Sequence, residues 1–237
     1  MLSVVLPTYN EKENIAVLIP LLQDLFKEYK IEAEIIVADD SSPDGTGDVA
    51  LKLNKKYKNI KLLTRKKKEG IGSALVDGYN ESNNDIIISM DSDLSFDHRD
   101  ILRLLERIND GYDMVLGCRH TESSNYQTNK LTTTIKSKIS RYGNKLTTII
   151  LGLDVHDFSA NFRAMRREVW KNIKTFEKGN SFLLEMVIAA NSKGYKITEI
   201  PVTFKDRIYG ESKISFNFIK EIPKVFLKLV KFRLKEY

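Results

Sequence analysis

Short apolar runs alternate with stretches of helical periodicity along the first half of the chain. Ser3–Leu6, Glu34–Ala38, Asn59–Leu63, Asp85–Met90 and Asp113–Gly117 are brief and β-branched-rich, and each runs into polar residues. Such runs read as strands buried on both faces. After the first of them, Ile15, Leu18, Ile19, Leu22, Leu25, Phe26 and Tyr29 recur at helical spacing. Asn10 with Glu13 forms the sequence of a capping box for that helix, and Pro20 is expected to kink it. Further helices are predicted over 46–57, 70–82 and 100–108. Repeated strand–helix units imply an α/β fold, a Rossmann-like, mostly parallel sheet with helices on both faces.

The pattern loosens after residue 118. Residues 120–129 are polar and read as a loop. Residues 131–151 carry apolar positions at 131, 135, 139, 142, 146 and 149–150, an amphipathic helix with a basic opposite face. A helix over 181–192, an extended pair over 196–204 broken at Pro201, a charged loop over 205–213 and a helix over 216–235, with a kink or restart at Pro223, complete the prediction. No internal repeat or low-complexity linker interrupts it. The expected organisation is one domain over 1–213 and a basic amphipathic helix over 214–237.

Composition narrows the function classes. The single cysteine, Cys118, excludes an intramolecular disulfide and disfavours a cysteine-based zinc site. The first residues lack the basic flank of a signal peptide, and no run approaches the ~18 apolar residues of a membrane span. The net charge of +6 is unevenly placed. Residues 125–153 hold Lys130, Lys136, Lys138, Arg141 and Lys145 and no acid; residues 214–237 hold six bases against two acids, so the remainder is net acidic. Lys220, Lys224, Lys228, Lys231 and Lys235 form one stripe on the last helix. That stripe suits an anionic membrane surface or, equally, a solvated face over a packed helix.

Polar residues cluster where three strands end. Pro7-Thr8-Tyr9-Asn10-Glu11 follows the first strand, Asp39-Asp40-Ser41-Ser42-Pro43-Asp44-Gly45-Thr46 the second, and Asp91-Ser92-Asp93 the fourth. Open α/β sheets bind ligands at the carboxyl ends of their strands. Two carboxylates buried together need a positive partner, and a divalent cation carrying a diphosphate supplies it. Oxygen ligands suit Mg²⁺ or Mn²⁺. By itself the D-x-D is no more than an acidic turn; its neighbours give it weight.

Taken together, these motifs, with Gly152–Ser159, Phe162-Arg163, Asp206-Arg207 and Gly210-Glu211-Ser212-Lys213, resemble the family 2 inverting glycosyltransferases of GT-A fold. Within these, the chain is similar to the dolichyl-phosphate mannose synthases and related polyprenyl-phosphate sugar transferases. The resemblance runs from residue 1 to about 213. It implies that Pro7, Tyr9, Glu11, Asp39, Asp40, Lys68, Gly72 and Asp91 bind a nucleotide sugar, with Arg65 and Gly70 in the same R-x-x-K-x-G-x-G loop. It implies metal ligation by Asp91, Asp93 and Ser95, and a catalytic set of Asp91, Asp93, Arg207 and Lys213. The acceptor phosphate would be met by Arg119, Lys136, Ser140, Arg163, Arg207 and Lys213.

The acceptor chemistry favours cations over a base. A hydroxyl acceptor usually needs a general base, whereas a phosphate monoester, with a second pKa of about 6, is already an anionic nucleophile. The resemblance therefore implies transfer of a hexose, mannose from GDP-mannose foremost, to dolichyl or polyprenyl phosphate. The enzyme would act peripherally at the cytoplasmic face of a membrane, alone or with a membrane-anchoring subunit. The alternatives are a UDP-glucose or UDP-N-acetylglucosamine donor, a glycan hydroxyl acceptor, and a non-catalytic basic module; nucleic acid is not an expected partner. Four residues depart from the family pattern. Lys136 stands in place of arginine, Phe96-Asp97 in place of histidine and proline, and Asn161 in place of glycine. His98, His120 and His156 lack metal-ligand spacing, and Trp170 reads as packing.

Overall fold

A computed structural model of the protein describes residues 1–121, 123–127 and 131–209. Strands β1 (Leu2–Thr8), β2 (Ala33–Asp39), β3 (Ile60–Thr64), β4 (Ile86–Met90) and β5 (Met114–Cys118) alternate with helices α1 (Lys12–Glu28), α2 (Thr46–Tyr57), α3 (Ile71–Glu81) and α4 (Asp100–Asn109). There follow β6 (Asn125–Gln127), α5 (Leu131–Leu151), β7 (Phe162–Arg166), α6 (Arg167–Asn172), α7 (Ser181–Ser192), β8 (Ile197–Pro201) and β9 (Thr203–Lys205). The main sheet runs β3-β2-β1-β4-β7-β5-β8, and β6 pairs with β9 in a small second sheet.

Successive residues of a strand face opposite sides, so the buried runs feed two cores. Val4, Leu6, Ile35, Val37, Ile88 and Met90 pack with α1 and α4 residues such as Ile15, Leu22, Ile101 and Leu104. Val5, Ile36, Ile87, Met114 and Leu116 pack on the other face with Leu75, Tyr79, Phe182 and Met186. The mostly parallel sheet with helices on both faces is as the alternation predicts.

Three local features differ from the sequence reading. The capping box does not form: Asn10 adopts a left-handed φ of 53° and α1 starts at Lys12, with no side-chain cap from its own N-cap residue. The β2–α2 loop serves that helix end instead, Thr46 Oγ1 accepting from Glu11 N at 3.0 Å and Asp44 Oδ2 from Lys12 N at 3.1 Å. The polar loop over 120–129 contains β6. Finally, β7 enters the main sheet antiparallel to both β4 and β5, with Met90 opposite Phe162 and Met114 opposite Met165. Residues 210–237, including the last helix with Pro223 and its lysine stripe, lie outside the described residues.

Candidate active site

The carboxyl ends of β1, β2 and β4 lie side by side, because the parallel register pairs Thr8 with Asp39 and Val5 with Ser89. Ser92 Oγ donates to Pro7 O at 3.1 Å, tying the D-x-D turn to the end of β1. Asp39 is buried and builds the β2–α2 loop: it accepts from Thr8 Oγ1 at 3.0 Å and from Ser42 N at 2.9 Å. Asp40 is buried against Arg65, whose Nε also donates to Asp77 at 2.7 Å. Burial raises the Asp40 pKa despite the adjacent guanidinium. Lys68 Nζ stands 3.9 Å from the centre of the Tyr9 ring, a cation–π contact between the loop after β3 and the end of β1. Glu11 accepts from Asn14 Nδ2 at 2.6 Å. Gly72 sits where α3 crosses the start of α7; a Cβ there would lie 2.5 Å from Phe182 Cβ and 2.9 Å from Gly179 O. The closeness of two helices thus explains this glycine directly.

The D-x-D turn is held by its own atoms. Leu94 takes a left-handed φ of 61°, which turns Ser95 back so that its N donates to Asp93 Oδ1 at 3.1 Å and its hydroxyl donates to the same oxygen. Asp93 Oδ2 pairs with Arg207 at 2.8 Å. Asp91 Oδ1 accepts from Asn161 Nδ2 at 3.1 Å. Burial, then repulsion from Asp93, pushes the Asp91 pKa up to about 7; Asn161, Arg119 and Arg207 oppose the shift without cancelling it. A carboxylate pair in this state has surplus negative charge for a cation to relieve.

This donor set fits Mg²⁺ or Mn²⁺. The two carboxylates supply hard oxygens, and Arg207 on Asp93 shows that the pair accommodates a cation. Among the described residues no group of three or more His, Cys, Asp or Glu side chains is arranged to hold a metal. Two carboxylates with the balance of ligands from substrate phosphates is the usual Mg²⁺ arrangement.

A second cluster stands beside the first. Arg119 forks onto the fully buried Asp157, with Nε and Nη2 donating at 2.7 and 3.0 Å, and Nη2 also donates to Ser159 Oγ at 2.7 Å. Asn144 Nδ2 reaches Asp157 at 3.2 Å and Ser140 Oγ at 3.3 Å, and Ser140 lies 3.1 Å from Ser159. Arg119 holds the Asp157 carboxyl well below the usual range against the penalty of burial. Asp157, Asn144 and Ser159 had no role in the sequence reading. Their signal was weak, since Asp157 lay within a quoted motif but nothing linked it to Arg119, 38 residues earlier. Arg163 is buried in β7 and donates to the carbonyls of Leu183 at 2.8 Å and Ala160 at 2.5 Å, so its guanidinium braces the 158–160 turn. The Lys136 side chain and Lys213 lie outside the described residues. Cys118, buried with its pKa pushed up to about 12, is an inert thiol.

Comparison with known proteins places this arrangement. Residues 3–174 match the model of glycosyl transferase family 2. The polyprenol monophosphomannose synthase of Mycolicibacterium smegmatis is 31% identical over 228 residues, covering 92% of this chain and 82% of the relative. The dolichol-phosphate mannosyltransferase of Pyrococcus furiosus is 31% identical over 97% of this chain, which spans 63% of that relative's length. Among solved structures, glucosyl-3-phosphoglycerate synthase from Mycobacterium tuberculosis, in complex with Mn²⁺, UDP-glucose and phosphoglyceric acid, superposes with a TM-score of 0.72 at 19% identity, covering 98% of this chain and 80% of its own.

Proposed function

The chain belongs to glycosyl transferase family 2, and we propose that this glycosyltransferase moves a hexosyl group, mannose from GDP-mannose, to a polyprenyl or dolichyl phosphate with inversion. The observation that carries the reading is the convergence of a carboxylate pair, half-buried Asp91 and buried Asp93, with Arg119 and Arg207 at one strand edge. Two relatives at 31% identity, a polyprenol monophosphomannose synthase and a dolichol-phosphate mannosyltransferase, support mannose and a lipid phosphate.

The chemistry needs little more than charge and position. An acceptor phosphate oxygen attacks the anomeric carbon; the bond from that carbon to the diphosphate breaks, and the nucleoside diphosphate leaves with the electron pair. Asp91 and Asp93 would hold Mg²⁺ or Mn²⁺, which would supply neutralising charge to that leaving group. Arg119 is kept in place by Asp157 and Ser159 and offers a fixed positive charge to the incoming anion. Arg207 bridges the two sides: it sits on Asp93, and the backbone two residues on, at Tyr209, accepts from Asn14 Nδ2 at 3.4 Å, so the 206–209 segment already crosses the strand ends. Lys136, Ser140 and Lys213 belong to the same proposed acceptor side, and Tyr9, Glu11 and Lys68 to the donor side.

A lipid acceptor places the enzyme at a membrane surface. Among the described residues no helix is long and apolar enough to cross a membrane. Instead α5 presents Tyr142, 75% exposed, with Leu146 and Ile149 one and two turns on, beside exposed Lys138, Arg141 and Lys145. Apolar side chains flanked by bases suit the headgroup region of an anionic bilayer. The proposal places this attachment at the cytoplasmic face, with or without an anchoring subunit.

Competition between donors tests it. Transfer from labelled GDP-mannose should be suppressed by unlabelled GDP-mannose far better than by UDP-glucose or UDP-N-acetylglucosamine; the reverse order would replace the donor. Asp91→Ala and Asp93→Ala should each lower transfer by about 100-fold or more, since a metal's charge stabilisation is worth several kcal/mol. Unchanged transfer in either would remove the metal assignment.

A further inference from the structure

Asn161 precedes β7 on the edge that faces the D-x-D turn. The antiparallel register sets Met90 against Phe162, so the next pair outward is Asp91 and Asn161. The side chain is 2% exposed, and Nδ2 donates to Asp91 Oδ1 at 3.1 Å. Its other end is unusual: Oδ1 is buried and has no hydrogen-bond donor in the structure. Buried amide oxygens are nearly always satisfied, and one that is not calls for an explanation such as an absent ligand. Asn161 is not a loose residue that happens to lie there. Arg163 holds the carbonyls of Ala160 and, at 3.4 Å, Phe158, which fixes the turn that delivers it.

We infer that Asn161 is a donor-site residue acting through both ends of its amide. Nδ2 anchors one oxygen of Asp91 and leaves the other for the cation, while Oδ1 accepts a hydrogen bond from an O–H group of the bound donor complex. That group is a hydroxyl of the sugar or a water on the cation; both present the same chemistry to an amide oxygen. The inference rests on the donor-site reading above and extends it to a position where the family pattern has glycine, which could do neither job. Residues that orient a metal-binding carboxylate typically change metal affinity by about 10–100-fold when lost.

Calorimetric titration of Mn²⁺ into the full chain, with GDP and separately with GDP-mannose, tests this without measuring transfer. Asn161→Gly and Asn161→Ala should weaken Mn²⁺ binding by at least about 10-fold while melting as the wild type does. An added loss with GDP-mannose over GDP assigns Oδ1 to a sugar hydroxyl; an equal loss with both assigns it to a cation-bound water. Mn²⁺ affinity within two-fold of wild type in a variant of unchanged melting temperature would overturn the inference and make Asn161 a packing residue. Should a variant lose its melting transition, Asn161→Ser, which keeps a short polar side chain, takes its place under the same criterion. Wild-type protein that binds neither Mn²⁺ nor GDP would instead defeat the donor-site reading, and the inference with it.

Discussion

Asp157, fully buried, and Asp91, half-buried, lie near the same edge, and their surroundings push their carboxyls in opposite directions. Asp157 receives both arms of Arg119 along with Asn144 and Ser159, which holds its pKa below the usual range. The stability it contributes is fully present above its unfolded value of about 3.9 and is lost as pH falls through the lower folded value. Asp157→Asn should therefore cost about 3–5 kcal/mol at pH 7, because it leaves a guanidinium without its charge partner, and urea melts at pH 7 and pH 3 should differ less than in wild type. Asp91 is raised to about 7 by burial and by Asp93. Its sign is reversed: stability is fully present below the unfolded value and is lost as pH rises through about 7. Asp91→Asn should raise the melting temperature of the metal-free protein at pH 8 while abolishing transfer, a trade of activity for stability common at active sites. A lower melting temperature would contradict the burial argument.

At the scale of elements, the legible ones were those whose burial is written into a run. The five parallel strands and α1–α4 followed from apolar periodicity alone. In contrast, β7 carries Arg163 and Arg166 within five residues, and charges inside a short run argue against a buried strand. The chain tolerates Arg163 because its two terminal nitrogens donate to carbonyls of the 158–160 turn and α7, partners that no local pattern reveals. The same limit explains the start of α1, where the caps come from a loop more than thirty residues away. Helix α5 was legible as amphipathic, yet the outward position of Tyr142, Leu146 and Ile149 (66% exposed at Ile149) emerged only from the fold. Leu146→Glu with Ile149→Glu should reduce co-sedimentation with vesicles containing anionic lipid about 10-fold or more, given ~25 cal/mol per Å² of apolar surface, and leave the melting temperature unchanged. Undiminished sedimentation would take α5 off the membrane.

Across the whole molecule, the order of the sheet decides where chemistry occurs. Strands β2 and β4 flank β1, so the motifs after all three meet at one edge, as ligand sites do in open α/β sheets. The motifs themselves were readable from the sequence. Their convergence with Arg119 and Arg207 was implied by the family resemblance and not by any local pattern, since Arg207 arrives from beyond β9. On the proposed acceptor side the site would offer cations and no general base, so a phosphate oxygen is expected to react and an alcohol is not. The decisive measurement supplies the full chain with Mn²⁺ and labelled GDP-mannose, together with either short-chain dolichyl phosphate or the matching dolichol, and counts label in the organic phase. Metal-dependent label is expected on the phosphate, with none above background on the alcohol. Comparable label on the alcohol, or none on the phosphate while a glycan hydroxyl is labelled, would contradict it.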